Sequence, residues 1–260
     1  MQTITYRTIN DSPLQMDICL PEGTPGPRPG VLFLHGGGWG GGNRAQFTWH
    51  IHELARHGFV AASASYRLSA VARYPAALDD VQCAMRWLRA HAQELQLDPA
   101  RLGAFGGSAG GHLVACLGTR ETRADCEPTL SGFSSRAQCV VDVHGIHDFH
   151  ALTDMADLEP SVLRFLGTKE ENADAWTDAS PIHFVDGDTA PMFLAHDPAD
   201  YLVPYGQSVF FAAALVKAAR PVEFLPTPGS GHGYCYNPEN AWTQKLWPRT
   251  VAWLTSWLKP

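Results

Sequence analysis

The most informative pattern in this chain is Arg101-Leu102-Gly103-Ala104-Phe105-Gly106-Gly107-Ser108-Ala109-Gly110-Gly111. An apolar run ends in glycines, a serine follows, and a helical segment begins at about residue 109. A G-x-S-x-G pattern is typical of a sharp turn between a strand and a helix, because glycines let the two elements approach closely. The stretch therefore predicts a strand–turn–helix unit that presents the hydroxyl of Ser108 as a candidate nucleophile.

Further apolar runs alternate with helical patterns along the chain. The predicted strands are short and continuously apolar, as strands buried on both faces of a parallel sheet are. They cover residues 31–34, 59–62, 101–105, 139–143, 191–195 and 222–225, and the predicted helices cover about 45–57, 76–95, 109–118, 206–219 and 239–258. Residues 2–20 lack a helical period and predict an antiparallel hairpin. This alternation predicts an α/β fold, with a mostly parallel central sheet and helices on both of its faces.

Length and composition predict one globular domain over residues 1–260. The segment 147–180 interrupts the alternation, and we expect either a small lid over the site or a surface crossover. The net charge of −7 argues against nucleic acid and anionic membrane surfaces as partners. The sequence contains no run of 18 consecutive apolar residues, so no membrane span is expected. The first residues, 1–6, show no secretory signal, so we expect a cytoplasmic protein, with secretion as the alternative.

Two expectations concern cysteines and assembly. The six cysteines show no C-x-x-C spacing, and most are expected to be small buried hydrophobes. Cys126 and Cys139 flank a Ser/Gly-rich loop, and a disulfide between them in an oxidising compartment is the alternative. The last predicted helix is rich in tryptophan, so a homodimer is one expectation for the assembly.

Four motifs follow four different predicted strands. The carboxyl ends of parallel strands meet at one edge of a sheet, so residues that follow them gather there. Ser108 follows 101–105, Asp200 follows 191–195 and His232 follows 222–225, in the order Ser, Asp, His. The segment His35-Gly36-Gly37-Gly38-Trp39 follows 31–34. The pattern predicts a Ser-His-Asp triad.

These motifs resemble an α/β-hydrolase of the esterase/lipase group. More narrowly, the chain is similar to compact bacterial esterases with an H-G-G-G-W loop, which include acetyl- and feruloyl-type esterases. The resemblance runs from about residue 14 to 258 and includes Ser65-Tyr66-Arg67-Leu68, Tyr74-Pro75-Ala76, Asp98-Pro99-Ala100-Arg101 and Ala179-Ser180-Pro181-Ile182. The family pattern before Val203-Pro204 is H-G-x-x-D, but this chain has Asp197 at the glycine position. Asp200 has the expected spacing for the triad, and Asp197 is the alternative.

The resemblance also implies roles for other residues. His232 would accept the proton of Ser108, and Asp200 would orient the imidazole ring. Backbone N–H groups of Gly37, Gly38 and Ala109 would form the oxyanion hole. This chemistry requires neither a metal nor an organic cofactor.

Other polar and aromatic residues receive separate interpretations. His35 is expected to brace the glycine loop, and His112 to pack or cap at a helix start. Trp39 is a candidate for lining the substrate pocket, with plain packing as the alternative. Tyr201 and Tyr234, beside the triad, are further candidates for shaping the substrate pocket. The run that contains His144, His147, Asp148 and His150 is dense in histidine but lacks a known ligand frame, so no metal site is expected.

Three functions remain open at this point. The first is a serine carboxylesterase that acts on a small-molecule ester with a short acyl or small aromatic group. The second is an amidase or arylformamidase with the same triad. The third is a ligand receptor of the same fold without catalysis, and the presence of His232 argues against it.

Overall fold

An eight-stranded sheet forms the centre of the fold in a computed structural model that describes residues 1–23, 26–123, 128–152 and 159–259. The strands are β1 (Gln2–Ile9), β2 (Ser12–Cys19), β3 (Arg28–Leu34), β4 (Val60–Ala64), β5 (Leu97–Gly107), β6 (Val140–Val143), β7 (Met192–His196) and β8 (Val222–Pro226). Their order across the sheet is β1-β2-β4-β3-β5-β6-β7-β8. Strands β1 and β2 pair antiparallel, as do β2 and β4, and the other neighbours pair parallel.

Helices cover both faces of this sheet. They are α1 (Thr48–Arg56), α2 (Ala76–Ala90), α3 (Ala92–Leu95), α4 (Ala109–Thr119), α5 (Glu159–Leu166), α6 (Ala173–Ala179), α7 (Gly206–Lys217) and α8 (Ala241–Leu258). Short 3-10 helices lie at Arg44–Phe47, Pro128–Leu130, Pro181–Phe184 and Tyr234–Tyr236. None of the helices in these ranges is both long enough and apolar enough to cross a lipid bilayer.

Two hydrophobic cores result from the alternation of side chains along each strand. In β3, Leu32 packs into the core shared with α2, α4 and α7, whereas Val31 and Phe33 pack into the core shared with α1 and α8. Successive side chains of a strand point to opposite faces, so a strand between two helical layers must be apolar throughout. This explains the continuous apolar runs of the sequence.

The predicted fold class is confirmed, with modest shifts in the bounds of its elements. All six predicted core strands form, and the hairpin over residues 2–20 forms β1 and β2. The helix predicted over 76–95 is two helices, because the chain leaves the α conformation at His91. The ring of His91 stacks on Trp87 at 3.8 Å, and its Nδ1 bonds the carbonyl oxygen of Trp87 at 2.9 Å.

Two expectations involve residues outside the described ranges. Cys126 lies there, so its pairing with Cys139 stays a prediction; Cys139 itself is buried. Part of the segment 147–180 also lies there. Its described part contains α5 and α6, and Phe149 and Phe165 from it pack into the main core.

Candidate active site

Ser108 lies in the turn between β5 and α4. Its backbone has φ +55° and ψ −121°, a conformation that costs energy in any residue with a side chain. The peptide N–H of Ser108 donates to the carbonyl oxygen of Val143 at 2.9 Å, which ties the turn to β6. A Cβ at Gly110 would lie 1.9 Å from the carbonyl oxygen of Leu34, so only glycine allows α4 to start this close to β3. The turn therefore has the geometry that the sequence predicts.

Ser108, His232 and Asp200 form a continuous hydrogen-bonded series. The Oγ of Ser108 lies 2.9 Å from Nε2 of His232, and Nδ1 of His232 lies 2.8 Å from Oδ2 of Asp200. Ser108 is 6% exposed, and the carboxylate of Asp200 is fully buried. The three side chains come from the ends of β5, β7 and β8, at the carboxyl edge of the sheet.

Asp197 has a different set of partners from Asp200. Its Oδ2 accepts the N–H of Gly231 at 2.7 Å, and its Oδ1 accepts the N–H of Ala199 at 2.9 Å and that of Gly229 at 3.3 Å. The structure therefore brings Asp200 to the ring of His232, and Asp197 to the backbone of the loop that carries His232.

Asp200 is held as a carboxylate by a dense set of donors. Burial alone would raise its pKa, but hydrogen bonds from His196 and His232 outweigh burial and hold the pKa well below its usual range. The Oδ1 atom accepts the N–H groups of Leu202 at 2.8 Å and Val203 at 3.0 Å. Asp200 is therefore a fixed negative charge beside His232.

The glycine loop after β3 faces the same cleft as Ser108. Gly37 and Gly38 have φ of +110° and +57°, and their peptide N–H groups bond no other part of the described chain. Ala109 is the first residue of α4, where N–H groups lack intrahelical acceptors. His35 braces the loop: Tyr66 stacks on its ring at 4.1 Å and donates its hydroxyl to the His35 carbonyl at 2.9 Å.

A cleft of about 340 Å³ lies between Ser108, His232 and the glycine loop. Its lining comprises Gly37, Gly38, Gln46, Ser108, Ser161, Leu202, His232 and Tyr236. The candidate nucleophile, the base and two candidate oxyanion donors thus share one opening. This arrangement can place a carbonyl group between the serine hydroxyl and the loop amides.

The three aromatic pocket candidates differ in their surroundings. Trp39 is fully buried, stacks on Phe165 at 4.4 Å and donates its indole N–H to Nδ1 of His112 at 3.1 Å. Tyr234 is 3% exposed. Tyr201 is 73% exposed, and its ring centroid is 6.3 Å from that of His232. None of the three is among the residues that line the cleft within the described ranges.

His112 packs between the glycine loop and the 147–180 segment. Its Nε2 bonds the carbonyl oxygen of Ala179 at 2.7 Å, while Nδ1 accepts from Trp39. Burial lowers the pKa of His112 to about 3, so the ring is neutral and carries its proton on Nε2. The side chain therefore packs, as one of its two sequence interpretations proposes.

Three residues near the triad were not singled out for it from the sequence. Tyr236 lines the cleft and donates its hydroxyl to the carbonyl oxygen of Gly107 at 2.7 Å. His196 lies 3.4 Å from Oδ2 of Asp200, and its Nδ1 lies 2.8 Å from Oγ of Ser208. The rings of His144 and His232 are in contact but tilted by 43°, with centroids 4.3 Å apart. Only proximity to the predicted strand ends could have indicated them.

The histidine run after β6 does not converge on one point. His147 bonds Oδ2 of Asp142 at 2.5 Å, and His150 lies 3.0 Å from the hydroxyl of Thr177. Potential ligand atoms of His144, Asp200 and His232 do lie within 4.8 Å of one another. Two of these three residues are already hydrogen-bonded to each other, so a metal ion there would replace the contact between base and carboxylate.

Known proteins with similar sequences and structures include several esterases. The chain is 30% identical over 217 residues to the probable carboxylic ester hydrolase LipM of Mycobacterium tuberculosis, across 80% of this chain and 50% of that protein. It spans about half the length of the curated relatives it matches.

Solved structures match over a larger share of their length. A thermophilic esterase of Thermogutta terrifontis with propionate bound superposes with a TM-score of 0.87 at 30% identity, covering 100% of this chain and 96% of that one. The same values hold for Thermogutta terrifontis esterase 2 phosphonylated by sarin. The BD-FAE family model matches residues 16–215, well over half of the chain, and the chain therefore belongs to the BD-FAE family.

Proposed function

We propose that this chain is a serine carboxylesterase that hydrolyses esters of short acyl or small aromatic acids. The observation that carries the proposal is the hydrogen-bonded series Ser108–His232–Asp200 at a cleft lined by glycine amides. The esterase names among the relatives point to the same reaction.

Acylation begins with attack of the Ser108 hydroxyl on the ester carbonyl. Nε2 of His232 accepts the hydroxyl proton and then donates it to the departing alcohol. Asp200 keeps the other ring proton on Nδ1 and stabilises the imidazolium that forms. The N–H groups of Gly37, Gly38 and Ala109 stabilise the negative charge on the carbonyl oxygen, where each donor is worth about 10²–10³ in turnover.

Deacylation repeats the same steps with water. His232 accepts a proton from water, which attacks the acyl carbonyl, and the ring then returns the proton to Ser108. No step uses a group from outside the chain other than substrate and water. Asp197 contributes indirectly, because its hydrogen bonds to Gly229 and Gly231 hold the loop that carries His232.

The preference for short acyl groups rests on the size of the cleft and on the solved relatives. The cleft has a volume of about 340 Å³, at the lower end of the range for small-molecule sites. The esterase from Thermogutta terrifontis has been solved with propionate and with butyrate bound.

We infer that α5, in the described part of the 147–180 segment, forms a wall of the cleft rather than a mobile lid. Ser161 of α5 lines the cleft. Phe165, one turn further on, stacks on Trp39 at 4.4 Å and so ties α5 to the glycine loop. A segment with buried aromatic anchors is costly to open.

Covalent labelling combined with a serine variant tests the assignment. A fluorophosphonate probe should label the native chain and the Ser256→Ala variant, in which a serine on α8 is replaced. The Ser108→Ala variant should escape labelling and lose hydrolysis of p-nitrophenyl acetate. Hydrolysis by Ser108→Ala at near the native rate would refute the triad, and inertness of the native chain would favour the receptor.

Matched substrates separate the esterase from the amidase. We expect a p-nitrophenyl ester to be hydrolysed far faster than the anilide of the same acid. A series from acetyl to dodecanoyl should show a sharp fall in kcat/KM beyond butyryl. Preference for the anilide would overturn the esterase proposal.

A further inference from the structure

A cavity of about 1050 Å³ lies at the opposite end of the sheet from Ser108. It is lined by Arg28 at the start of β3, by the end of α1 and by residues 20–22, which follow β2. The glycine loop follows the other end of β3, at Leu34. The seven residues of β3 therefore separate the cavity from the glycine loop by about 20 Å.

The lining of this cavity is positively charged, although the chain as a whole carries a net charge of −7. Four cations line it, Arg28, Arg56, Arg101 and Lys259, against one carboxylate, Glu22. Arg101 pairs with Asp98 at 2.8 Å, and Arg56 pairs with Glu53 at 2.9 Å. Within the described residues, no carboxylate pairs with Arg28 or Lys259.

Arg28 is buried with part of its guanidinium unsatisfied. The residue is 8% exposed, its Nη1 donates to the carbonyl oxygen of Pro21 at 3.1 Å, and its Nε has no partner in the described chain. The edge formed by Nε and Nη2 is the one that binds carboxylate and phosphate through two parallel hydrogen bonds. A buried guanidinium with an N–H group that lacks an acceptor is costly, so Arg28 favours an oxyanion at this cavity.

Lys259 places a second cation at the same cavity. Its ammonium donates to the carbonyl oxygen of His57 at 2.5 Å and lies 4.3 Å from the centre of the Phe59 ring. Desolvation, and then the neighbouring charge of Arg101, lower the pKa of Lys259. An anion between these cations would relieve their mutual repulsion.

We propose that this cavity binds a small molecule that carries a phosphate or carboxylate group, with Arg28 and Lys259 as its cationic ligands. The guanidinium of Arg28 donates to the anion, and the ammonium of Lys259, which lines the same cavity, neutralises part of its charge. The cavity is large enough for a whole small molecule around that group. The site is separate from the catalytic cleft, so binding there does not depend on the proposed esterase activity.

Calorimetric titration of the full chain tests the site. Inorganic phosphate and citrate are titrated separately at constant ionic strength, which distinguishes the two anion classes. The variants are Arg28→Met and Lys259→Met, and the matched control is Arg249→Met, since Arg249 pairs with Glu223 on the surface of α8. We expect saturable binding of one of the two anions by the native chain and by the control.

Arg28→Met should weaken that binding at least about tenfold, and Lys259→Met should weaken it several-fold. Circular dichroism shows whether Arg28→Met folds; if it does not, the Lys259→Met titration decides. Failure of both anions to bind the native chain at about 20 mM would overturn the proposal. The proposal would also be overturned if Lys259→Met, and Arg28→Met where it folds, bound the anion with the same affinity as the Arg249→Met control.

Discussion

Replacing Asp200 by asparagine should abolish most of the activity without disturbing the fold. The Oδ1 of Asp200 accepts the N–H groups of Leu202 and Val203, while Oδ2 bonds His232. An asparagine keeps its oxygen toward the two N–H donors, so its NH₂ group must face Nδ1 of His232. That ring nitrogen then accepts a hydrogen bond, and the ring proton moves to Nε2. In this tautomer His232 cannot take the proton of Ser108.

The expected size of the effect follows from this tautomer change. A similar exchange in a serine protease lowers kcat about 10⁴-fold, which corresponds to about 5.4 kcal/mol of transition-state stabilisation. We expect a loss of about 10³–10⁴ in kcat for p-nitrophenyl acetate, with a smaller change in KM. The chain should still fold, because the backbone bonds to Leu202 and Val203 persist. Its thermal midpoint should fall, because the charged hydrogen bonds of Oδ2 with His196 and His232 are lost.

Asp197→Asn is the matched control for this prediction. It removes one carboxylate oxygen from the loop of His232, and the remaining oxygen still accepts a backbone N–H group. We expect a loss of about 1.5–3 kcal/mol in the free energy of unfolding, and a fall in kcat of no more than about tenfold. The reasoning would be refuted if Asp200→Asn kept more than a tenth of the native kcat, or if Asp197→Asn lost as much as Asp200→Asn.

Three further predictions concern the glycine loop, the cleft and acid stability. Gly37 has a φ of +110°, and a Cβ there would lie 2.5 Å from the carbonyl oxygen of Gly41. Gly37→Ala should therefore displace the loop amides and lower kcat for p-nitrophenyl acetate about 10²–10³-fold. Tyr236→Phe leaves the carbonyl oxygen of Gly107 without its donor, and urea unfolding should show a loss of about 1–3 kcal/mol. Burial lowers the pKa of His35 and of His50 from 6.5 to about 4, so the unfolded chain binds more protons than the folded chain between these values. The free energy of unfolding should therefore fall as the pH drops from 6.5 to 4, by about 1.4 kcal/mol per pH unit for each ring. Urea unfolding at several pH values measures this slope.

Each of these predictions has a control or a contradicting result. Gly187→Ala is the glycine control, because a Cβ there meets no atom within 4 Å. A Tyr236→Phe variant as stable as the native chain would show that the hydroxyl bond contributes nothing net. Stability that stays constant from pH 6.5 to pH 5 would contradict the assignment of neutral buried rings, and His50→Phe should reduce the slope.

Much of the fold and part of the site could be predicted from local patterns. Ser108 lies in a strand–turn–helix unit that short-range sterics specify, because only glycine permits the approach of α4 to β3. Parallel strands end at a common edge, so Asp200 and His232 were expected near it. The choice between Asp197 and Asp200 depended on spacing alone, and the loop geometry places Asp200 on the ring.

The aromatic residues show why proximity along the chain was insufficient. Trp39 and Tyr234 adjoin site motifs in sequence, yet both side chains are buried. Tyr236 adjoins Tyr234, but its hydroxyl bonds the residue that precedes Ser108. Which side chain faces a cleft depends on the direction of its Cα–Cβ bond after the loop has folded, and sequence spacing in an irregular loop does not determine that direction.

The strand–helix order, the glycine-flanked turn at Ser108 and the set of residues at the carboxyl edge of the sheet can all be read from local sequence patterns. These features depend on periodicity and on local steric limits, which act between near neighbours in the chain. The partner of His232, the lining of the cleft and the meeting of Arg28 and Lys259 at one cavity depend on the folded arrangement of the chain. Those contacts join residues that are distant in sequence, and they exist only once packing of the sheet and its helices has fixed the positions of the strand ends.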